Sequence, residues 1–374
     1  AGFSLSSCNF SSDKSGKNPS PKPATTPSDP YELAPFGNLS LLHYTDSHAQ
    51  LLPVWFREPN INIGIGDSMG KAPHIVGEHF LQRFNIRPGS MEAYAYTYLD
   101  FSKAAETFGK VGGFAHLASL IKKIRAQRPH SLLLDGGDTW QGSATALWTE
   151  GTDMVDASIM LGVDVMTGHW EFTLGAEKVI DHINRMKDKI EFVAQNVVDK
   201  DWGERIFKPY VIKAVNGINV GIIGQAFPYT PVANPRYMIP QWSFGIREEE
   251  LKAAIKEARE NGAEIIILLS HNGMDVDFKL AGRISGIDAI LGGHTHDAVP
   301  EAIKIKNAGG STLVINSGSN GKFLSVLDFD FKNGKIADYR YRLLPVFSNL
   351  LPADPEMAKY IENVLIAYKK GARK

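Results

Sequence analysis

Acidic and imidazole side chains recur directly after short apolar runs in this sequence. Each run has the length and composition of a buried strand, and in open α/β sheets the loops after such strands form binding sites. Taken alone, an Asp-x-His, a Gly-Asp or a Ser-His-Asn is more often a turn or a helix cap than a metal site. Five strand ends hold such residues together: Asp46 and His48, then Asp138, His169, His271, and the pair His294 and His296. Because unrelated turns would not place ligand types at five strand ends, we predict a metal centre.

These seven side chains are too many for one ion. One divalent metal takes about four to six such ligands, whereas seven suit two metals about 3.5–4 Å apart that share a carboxylate. Mixed imidazole and carboxylate ligands favour manganese, iron or zinc over magnesium or calcium. The chain has one cysteine, which excludes thiolate-rich zinc sites, iron–sulfur clusters and an internal disulfide. The sequence therefore predicts a two-metal site built from nitrogen and oxygen ligands.

Strands that alternate with helices must position these residues. Apolar runs without alternation suit strands covered on both faces. We predict such strands at 39–44, 131–134, 163–166, 192–194, 220–223, 265–269, 289–291 and 313–315, and helices at 114–125, 154–161, 176–186, 248–260 and 276–283. A hairpin signal, Lys332-Asn333-Gly334, separates two further strands at 326–331 and 336–341. This order predicts a layered α/β domain with two sheets packed between helices.

Composition excludes several functional classes. The 374 residues carry a net charge of −1, with 43% hydrophobic and 22% charged residues, which is typical of a globular protein with a substantial core. The neutral balance argues against nucleic acid or an anionic membrane surface as a partner. No stretch approaches the roughly 20 apolar residues of a transmembrane helix. The length allows one large domain or two smaller ones.

Both ends of the chain differ from its middle. Residues 1–30 are rich in Ser and Pro and are expected to form a disordered tether, because they bury too little apolar surface to fold. Within them, Leu5-Ser6-Ser7-Cys8 resembles a bacterial lipobox with Cys8 as the lipid anchor; the alternative is a free surface thiol. We expect the catalytic domain at 31–345. Residues 346–374 are expected to begin a linker helix, at 354–368, toward a further domain.

Residues 51–110 interrupt the alternation of strands and helices. They are rich in Gly, Pro and aromatic residues and lack clear periodicity. A long segment of this kind is more often functional than incidental. The alternative is an ordered insertion that packs on the edge of the domain.

The motifs resemble, in chain order, those of the calcineurin-like metallophosphoesterases of the 5′-nucleotidase branch. The matching segments are Asp46-Ser47-His48, Gly137-Asp138, Gly168-His169-Trp170-Glu171, His271 and Gly292-Gly293-His294-Thr295-His296. The resemblance covers about residues 39–345 and implies a four-layer α/β/β/α sandwich with two mixed sheets. It also implies Asp46, His48 and His296 on a first metal, His271 and His294 on a second, and Asp138 as the bridging carboxylate. The metal-binding Asn of the family falls on His169.

One motif departs from that family. The family has Gly-Asn-His-Glu, in which Asn binds metal and His assists the leaving group, whereas this chain has Gly168-His169-Trp170-Glu171. The substitution, together with segments 51–59 and 108–117, resembles the SoxB sulfate thiohydrolases of thiosulfate oxidation. That resemblance implies a periplasmic di-manganese hydrolase, with zinc or iron as alternative metals. It would release sulfate from a cysteine S-thiosulfonate on a SoxYZ-like sulfur carrier protein.

A mechanism follows as a hypothesis. Two cations would lower the pKa of a bridging water, so that hydroxide attacks the terminal sulfone sulfur. The persulfide leaving group needs little protonation, which fits the loss of the family's histidine. Candidate substrate contacts are Asn196, Trp170 and Arg57; the alternatives are a capping turn, a pocket wall and a solvated surface charge, respectively. Glu171 is expected to orient a metal ligand rather than to bind metal.

Two other classes of function stay open at this point. A 5′-nucleotidase or phosphodiesterase of the same fold is the first, and loss of the motif histidine argues against it. A non-enzymatic metal-binding or partner-docking module is the second, and the intact set of ligands argues against it.

Overall fold

The computed structural model describes residues 29–55, 64 and 66–371. Two residues singled out in the sequence, Cys8 and Arg57, lie outside the described residues. Ala34–Lys374 form one compact unit, and this unit contains all seven predicted metal ligands.

The described chain folds into fourteen strands and eleven α-helices. The strands are β1 (Leu39–Tyr44), β2 (Leu132–Asp135), β3 (Val165–Met166), β4 (Glu191–Phe192), β5 (Val198–Asp199), β6 (Tyr210–Val215), β7 (Ile218–Gln225), β8 (Trp242–Ser243), β9 (Ile265–Ser270), β10 (Ala289–Gly292), β11 (Ile303–Asn307), β12 (Gly310–Asn316), β13 (Phe323–Lys332) and β14 (Lys335–Pro345). The helices are α1 (Gly77–Arg83), α2 (Met91–Tyr96), α3 (Phe101–Phe108), α4 (Phe114–Gln127), α5 (Ala144–Thr149), α6 (Thr152–Leu161), α7 (Ala176–Met186), α8 (Thr230–Ala233), α9 (Glu248–Glu260), α10 (Met274–Arg283) and α11 (Pro355–Gly371).

Two six-stranded mixed sheets form the centre of the molecule. The first has the order β14-β13-β1-β2-β3-β4, with β1 to β4 parallel. The second has the order β11-β12-β10-β9-β7-β6, with β12, β10, β9 and β7 parallel. A small third sheet pairs β5 with β8. Because the central strands of each large sheet are parallel, their carboxyl ends gather at one edge of that sheet, where the predicted ligands follow them.

Apolar side chains from both large sheets form the core between them. Leu41, Leu134 and Val165 of the first sheet share one buried cluster with Ile222 and Ile267 of the second. The opposite face of the second sheet packs against α9 and α10 through a separate cluster. On the first sheet, Tyr44 meets Phe114 of α4 edge to face at 6.1 Å. The layered α/β sandwich predicted from the sequence is confirmed.

The segment at 51–110 contains three short helices that its sequence does not signal. Their aromatic side chains pack on distant parts of the chain: Tyr94 stacks on Phe347 at 5.4 Å and Tyr96 stacks on Phe323 at 5.2 Å. Both tyrosine hydroxyls donate to backbone carbonyls, of Gly109 and Leu343. Helices this short depend on tertiary packing rather than on local propensity. The described part of the segment is therefore an ordered insertion that packs on the domain.

Most predicted elements are present with small changes at their ends. The predicted bounds of β1, α7 and α9 agree with the structure, whereas β7 and β12 extend beyond the predicted apolar runs. The predicted helix at 354–368 is observed as α11. Within the described residues, every helix is too short or too polar to cross a membrane.

A buried ion pair ties α4 to the first sheet. Arg128, which follows α4, donates from Nε to Asp328 Oδ1 at 2.9 Å and from Nη2 to Oδ2 at 2.8 Å. Both side chains are nearly inaccessible to solvent. Ser40 Oγ of β1 donates to the same carboxylate at 2.6 Å.

We predict that Arg128→Ala lowers the free energy of unfolding by about 3–5 kcal/mol, because it leaves the Asp328 carboxylate buried without its counter-charge. Urea denaturation followed by circular dichroism measures the change. The control is Lys252→Ala, which removes an exposed pair with Glu249 and should have little effect. Equal unfolding midpoints for the two variants would contradict the prediction.

Candidate metal centre

The structure brings all seven predicted ligands to one place. Among the described residues, three groups of side chains place one potential ligand atom each within 4.8 Å of one another. These groups are Asp46 with His48 and His296, His169 with His271 and His294, and Asp46 with Asp138 and His271. We call the first the outer group and the second the inner group. The third group links Asp46 of the outer group to His271 of the inner group and adds Asp138. The arrangement therefore has the layout of a two-metal site with a shared carboxylate.

The outer group lies on the accessible side of the site. His48 Nε2 and His296 Nε2 are 2.9 Å apart, and His296 Nε2 is 3.4 Å from Asp46 Oδ1. The side chains of His48 and His296 are 27% and 37% exposed, whereas Asp46 is fully buried. Substrate can therefore reach the imidazoles of this group from solvent.

The inner group is deeper. His169 Nδ1 is 3.2 Å from Asp138 Oδ2, and His271 Nε2 is 3.9 Å from the same oxygen. His271 Nδ1 lies 2.7 Å from the carbonyl oxygen of Gly136, to which a ring N–H at this position would donate. That hydrogen bond would place the ring proton on Nδ1 and leave the lone pair of Nε2 available to a metal. Nε2 lies near the carboxylates of Asp46 and Asp138.

Several of the loops adopt strained backbone conformations. Five of the seven predicted ligands have positive φ angles without being glycine: Asp46 at 51°, His48 at 49°, Asp138 at 59°, His294 at 74° and His296 at 59°. Such conformations cost roughly 1–3 kcal/mol each and persist where the surroundings enforce them, often at functional sites. Most of the residues that define the site thus carry this strain, which also occurs in other loops of the described chain.

Close approach of the chain also requires glycine at position 293. A Cβ on Gly293 would lie 2.9 Å from both Asp46 Oδ2 and His271 Nδ1, closer than carbon and these atoms can pack. Asp46 accepts the backbone N–H of His294 at 3.1 Å on Oδ1 and 3.0 Å on Oδ2. The missing side chain lets the second sheet bring its loop directly onto the carboxylate of the first.

Glu171 holds two ligand loops together. Its buried carboxylate accepts the backbone N–H groups of His169 at 2.6 Å and Asp138 at 3.2 Å. It also accepts those of Thr139 at 2.6 Å and Trp140 at 3.3 Å. With four backbone donors, this carboxylate fixes the positions of His169 and Asp138 without facing the ligand atoms itself.

Burial sets the protonation of the imidazoles. Desolvation lowers the pKa of His48 to about 4 and that of His294 to about 3. Desolvation also places the pKa of His169 far below its ordinary value. Neutral imidazoles are the form that binds metal. Near neutral pH, these three side chains are therefore ready to act as ligands.

The two carboxylates of the site differ. Burial alone would raise the pKa of Asp46, but the imidazoles of His271, His296 and His48 hold it well below its usual range. Burial and the nearby carboxylates of Asp46 and Glu171 raise the pKa of Asp138 well above its usual range. An additional positive charge at the site would favour ionisation of Asp138.

The donor set fits divalent metals. Within the described part of the chain, Asp138 Oδ1, His169 Nε2 and His271 Nε2 are buried side-chain atoms without a hydrogen-bond partner. Leaving such atoms unpaired is costly, and metal coordination would satisfy them. Imidazole nitrogen and carboxylate oxygen are the ligands that manganese, iron and zinc accept. The residues present are therefore suited to hold divalent metal.

The structure places the two described candidate substrate contacts in different surroundings. Trp170 is 45% exposed, and its ring meets that of His169 edge to face at 6.1 Å, so it borders the site. Asn196 is buried and donates both amide hydrogens, to the carbonyl oxygens of Ala226 and Gly245. It also accepts the N–H of Ala226. In this structure Asn196 ties together loops that are distant in the sequence rather than capping a local turn, and both of its amide hydrogens are donated to backbone carbonyls.

Phe227 is a site residue that the sequence analysis missed. Its ring stacks on the imidazole of His294 with centroids 3.9 Å apart and lies 4.2 Å from that of His169. Exposed Tyr229 meets Phe227 at 5.9 Å. Phe227 follows the end of β7, so the search of strand ends would have found it had apolar residues been included. It forms one wall of the inner group.

Comparisons with known proteins agree with this geometry. No protein-family model matches the chain. It is 28% identical over 285 residues to bovine 5′-nucleotidase. The aligned region covers 69% of this chain and 48% of the relative. The chain thus spans about half the length of this curated relative.

Two solved structures extend the likeness. Sulfate thiohydrolase SoxB from Thermus thermophilus matches with a TM-score of 0.87 and 36% identity, over 91% of this chain and 62% of that one. A 5′-nucleotidase precursor from the same species matches with a TM-score of 0.67 and 25% identity, over 90% of this chain and 59% of that one. These likenesses support the metallophosphoesterase/5′-nucleotidase superfamily for this chain.

We predict that Glu171→Gln loosens the loops of Asp138 and His169, because an amide N–H₂ would face backbone donors that now meet a carboxylate. Hydrogen exchange of the backbone N–H groups of His169 and Thr139 should become faster, and the free energy of unfolding should fall by about 1–3 kcal/mol. Glu177→Gln, on the exposed surface of α7, is the matched control. Unchanged exchange in the Glu171 variant would show that the carboxylate does not hold these loops.

Proposed function

We propose that this chain is the catalytic part of a two-metal hydrolase that releases sulfate from a cysteine S-thiosulfonate on a carrier protein. The observation that supports this best is the pairing of His169 with Trp170 at the inner group, where the nucleotidase motif has Asn and His. Similarity to SoxB over 91% of the chain supports the same reading. More broadly, the similar proteins and the ligand groups support a metal-dependent hydrolase of this fold.

The ligands are assigned as part of this proposal. Asp46, His48 and His296 would hold one cation, and His169, His271 and His294 the other, with Asp138 between them. When bound, divalent cations supply Lewis-acid polarisation and activate water near neutral pH. Manganese is the proposed metal, with zinc and iron as alternatives that the same ligands accept.

The proposed reaction is a hydrolysis at sulfur. The oxygen of water bonds to the terminal sulfone sulfur, and the bond between that sulfur and the cysteine persulfide breaks. The electron pair of the broken bond goes to the persulfide, sulfate is released, and the two protons of the water pass to solvent. Because a persulfide is a far better leaving group than an alkoxide, the reaction does not depend on a strong proton donor.

The residues around the site have roles consistent with that chemistry. Trp170 cannot transfer a proton as a histidine does, and its half-exposed indole would instead border the path of the substrate. Phe227 covers the inner imidazoles and excludes water from that side. The accessible imidazoles of the outer group mark the side from which a carrier's cysteine arm would enter.

Partner and location belong to the same proposal. A SoxYZ-like sulfur carrier in the periplasm would present the substrate, and Cys8 would be a lipid anchor. The carrier and the location follow from the resemblance to SoxB, and the anchor follows from the resemblance of Leu5-Ser6-Ser7-Cys8 to a lipobox.

We predict that the manganese-loaded protein releases sulfate from a carrier peptide that bears a cysteine S-thiosulfonate, and that it turns over AMP and bis-p-nitrophenyl phosphate poorly. Ion chromatography measures sulfate, and a colorimetric assay measures phosphate and nitrophenol. Efficient hydrolysis of AMP without sulfate release would favour the nucleotidase alternative.

A substitution at position 170 tests the same choice between the two substrate classes. Trp170→His returns a proton donor to the motif position and should raise turnover of AMP relative to the unaltered protein, because an alkoxide leaving group benefits from general acid catalysis. Trp202→His, at a residue that is 84% exposed, is the matched control. If both variants treat AMP alike, the position of Trp170 does not determine the substrate class.

We also predict that the unaltered protein binds two metal ions per chain, and that His169→Ala and Asp138→Ala each bind fewer. Plasma mass spectrometry after dialysis gives the stoichiometry, and circular dichroism checks folding. His130→Ala, at an exposed residue after α4, is the control. Two ions per chain in both site variants would overturn the assignment of ligands.

A further inference from the structure

A buried polar network lies behind His271, and its side chains belong to none of the three ligand groups. Asp277 of α10 is fully buried and accepts two side-chain hydrogen bonds on Oδ1, from Ser270 Oγ at 2.7 Å and Asn272 Nδ2 at 3.0 Å. Ser270 and Asn272 are the two residues that flank His271. A single carboxylate oxygen thus fixes the chain on both sides of a candidate ligand.

The network continues across the second sheet. Asn272 Oδ1 accepts from Gln225 Nε2 at 3.0 Å, and Gln225 Oε1 accepts from Gln195 Nε2 at 2.6 Å. The backbone carbonyl of Gln225 accepts the N–H of His271 at 2.8 Å. The loop of His271 is therefore held from the end of β7 as well as from α10.

The second oxygen of Asp277 faces the other ligand loop of this sheet. A Cβ on Gly292 would lie 2.9 Å from Asp277 Oδ2, so only glycine permits the observed approach. Gly292 ends β10 and begins the turn that leads to His294. Asp277 hence touches the segments that present two of the three inner imidazoles.

Burial of the Asp277 carboxylate is energetically unfavourable for the folded state. Among the described buried side chains, Asp277 Oδ2 is one of the oxygens without a hydrogen-bond partner. Burial raises the pKa of Asp277 to about 7, even though the hydrogen bonds from Ser270 and Asn272 favour its ionised form. An apolar residue would avoid both costs, which indicates that the side chain serves something other than stability.

We propose that Asp277 is a positioning residue that sets the distance between His271 and His294 and thereby the metal affinity of the inner group. It acts through Ser270, Asn272 and Gly292 and touches no ligand atom. The inference rests on the metal site proposed above, and concerns how that site is held rather than which reaction it performs. Carboxylates behind metal-binding histidines commonly change affinity by 10–100-fold.

The test is titration of the metal-free full chain with Mn²⁺ by isothermal calorimetry. Asp277→Ala should raise the Kd of one of the two Mn²⁺ sites by about 10–100-fold and leave the other nearly unchanged. Asp277→Asn keeps an acceptor for Ser270 and Asn272 and should restore most of the affinity. Ser270→Ala removes the hydrogen bond to Asp277 and the longer one from the N–H of Asn272 at 3.3 Å, but leaves the bond from Asn272 Nδ2 to Asp277 in place. It should give a smaller increase and serves if Asp277→Ala does not fold.

Asp288 provides a matched control in the same sheet. It precedes β10 at the edge remote from the ligands and accepts from the backbone N–H of Ile266 at 2.7 Å and from Arg259 at 2.8 Å. Asp288→Ala should lower the thermal midpoint without changing Mn²⁺ affinity. Equal Mn²⁺ affinity in Asp277→Ala and the unaltered protein would overturn the inference and leave the proposed function intact. Failure of the unaltered protein to bind Mn²⁺, Zn²⁺ or Fe²⁺ would instead refute the proposed metal site.

Discussion

The carboxylate of Asp46 joins the two sheets at the edge where the site forms. It follows β1 of the first sheet and accepts the backbone N–H of His294, which follows β10 of the second. Thr45 Oγ1 donates to the same carboxylate at 2.6 Å, and the backbone carbonyl of Asp46 accepts from Asn320. Because imidazoles from both sheets keep this buried group ionised, the charge that would hold metal also holds the sheets in register. Every other feature of the site depends on that junction.

Two further buried carboxylates hold different loops of the inner group in place. Glu171 collects backbone donors from the loops of His169 and Asp138, and Asp277 fixes the segments around His271 and before His294. Neither is aimed at the ligand atoms. The apolar core between the sheets offsets the free-energy cost of burying these carboxylates and of the residues with positive φ angles. Such support restricts the movement of imidazoles whose backbone would otherwise relax.

The sequence was most informative where chemistry follows directly from chain order. Residues after a parallel strand must lie at its carboxyl edge, so the seven candidate ligands could be found from apolar runs alone. Asp277 could not, since it lies on the helix after the strand and its contact with Gly292 depends on how α10 packs. The same holds for α1 to α3, whose aromatic residues gain stability from Phe323 and Phe347 far along the chain. Phe227 was missed because its role comes from ring stacking, which strand ends alone do not predict.

The exchange of two neighbouring residues links the metal site to the choice of substrate. An imidazole at position 169 would supply a ligand from the motif position where the family has Asn, and its ring packs against those of Phe227 and His271. An indole at position 170 removes the proton donor that an alkoxide leaving group needs. Under the proposed function, a site altered in both respects would still activate water, yet would favour a leaving group that departs as a stable anion. A thiol-derived leaving group satisfies that constraint and a nucleoside alkoxide does not, so the departure from the family motif is chemically coherent with hydrolysis at sulfur.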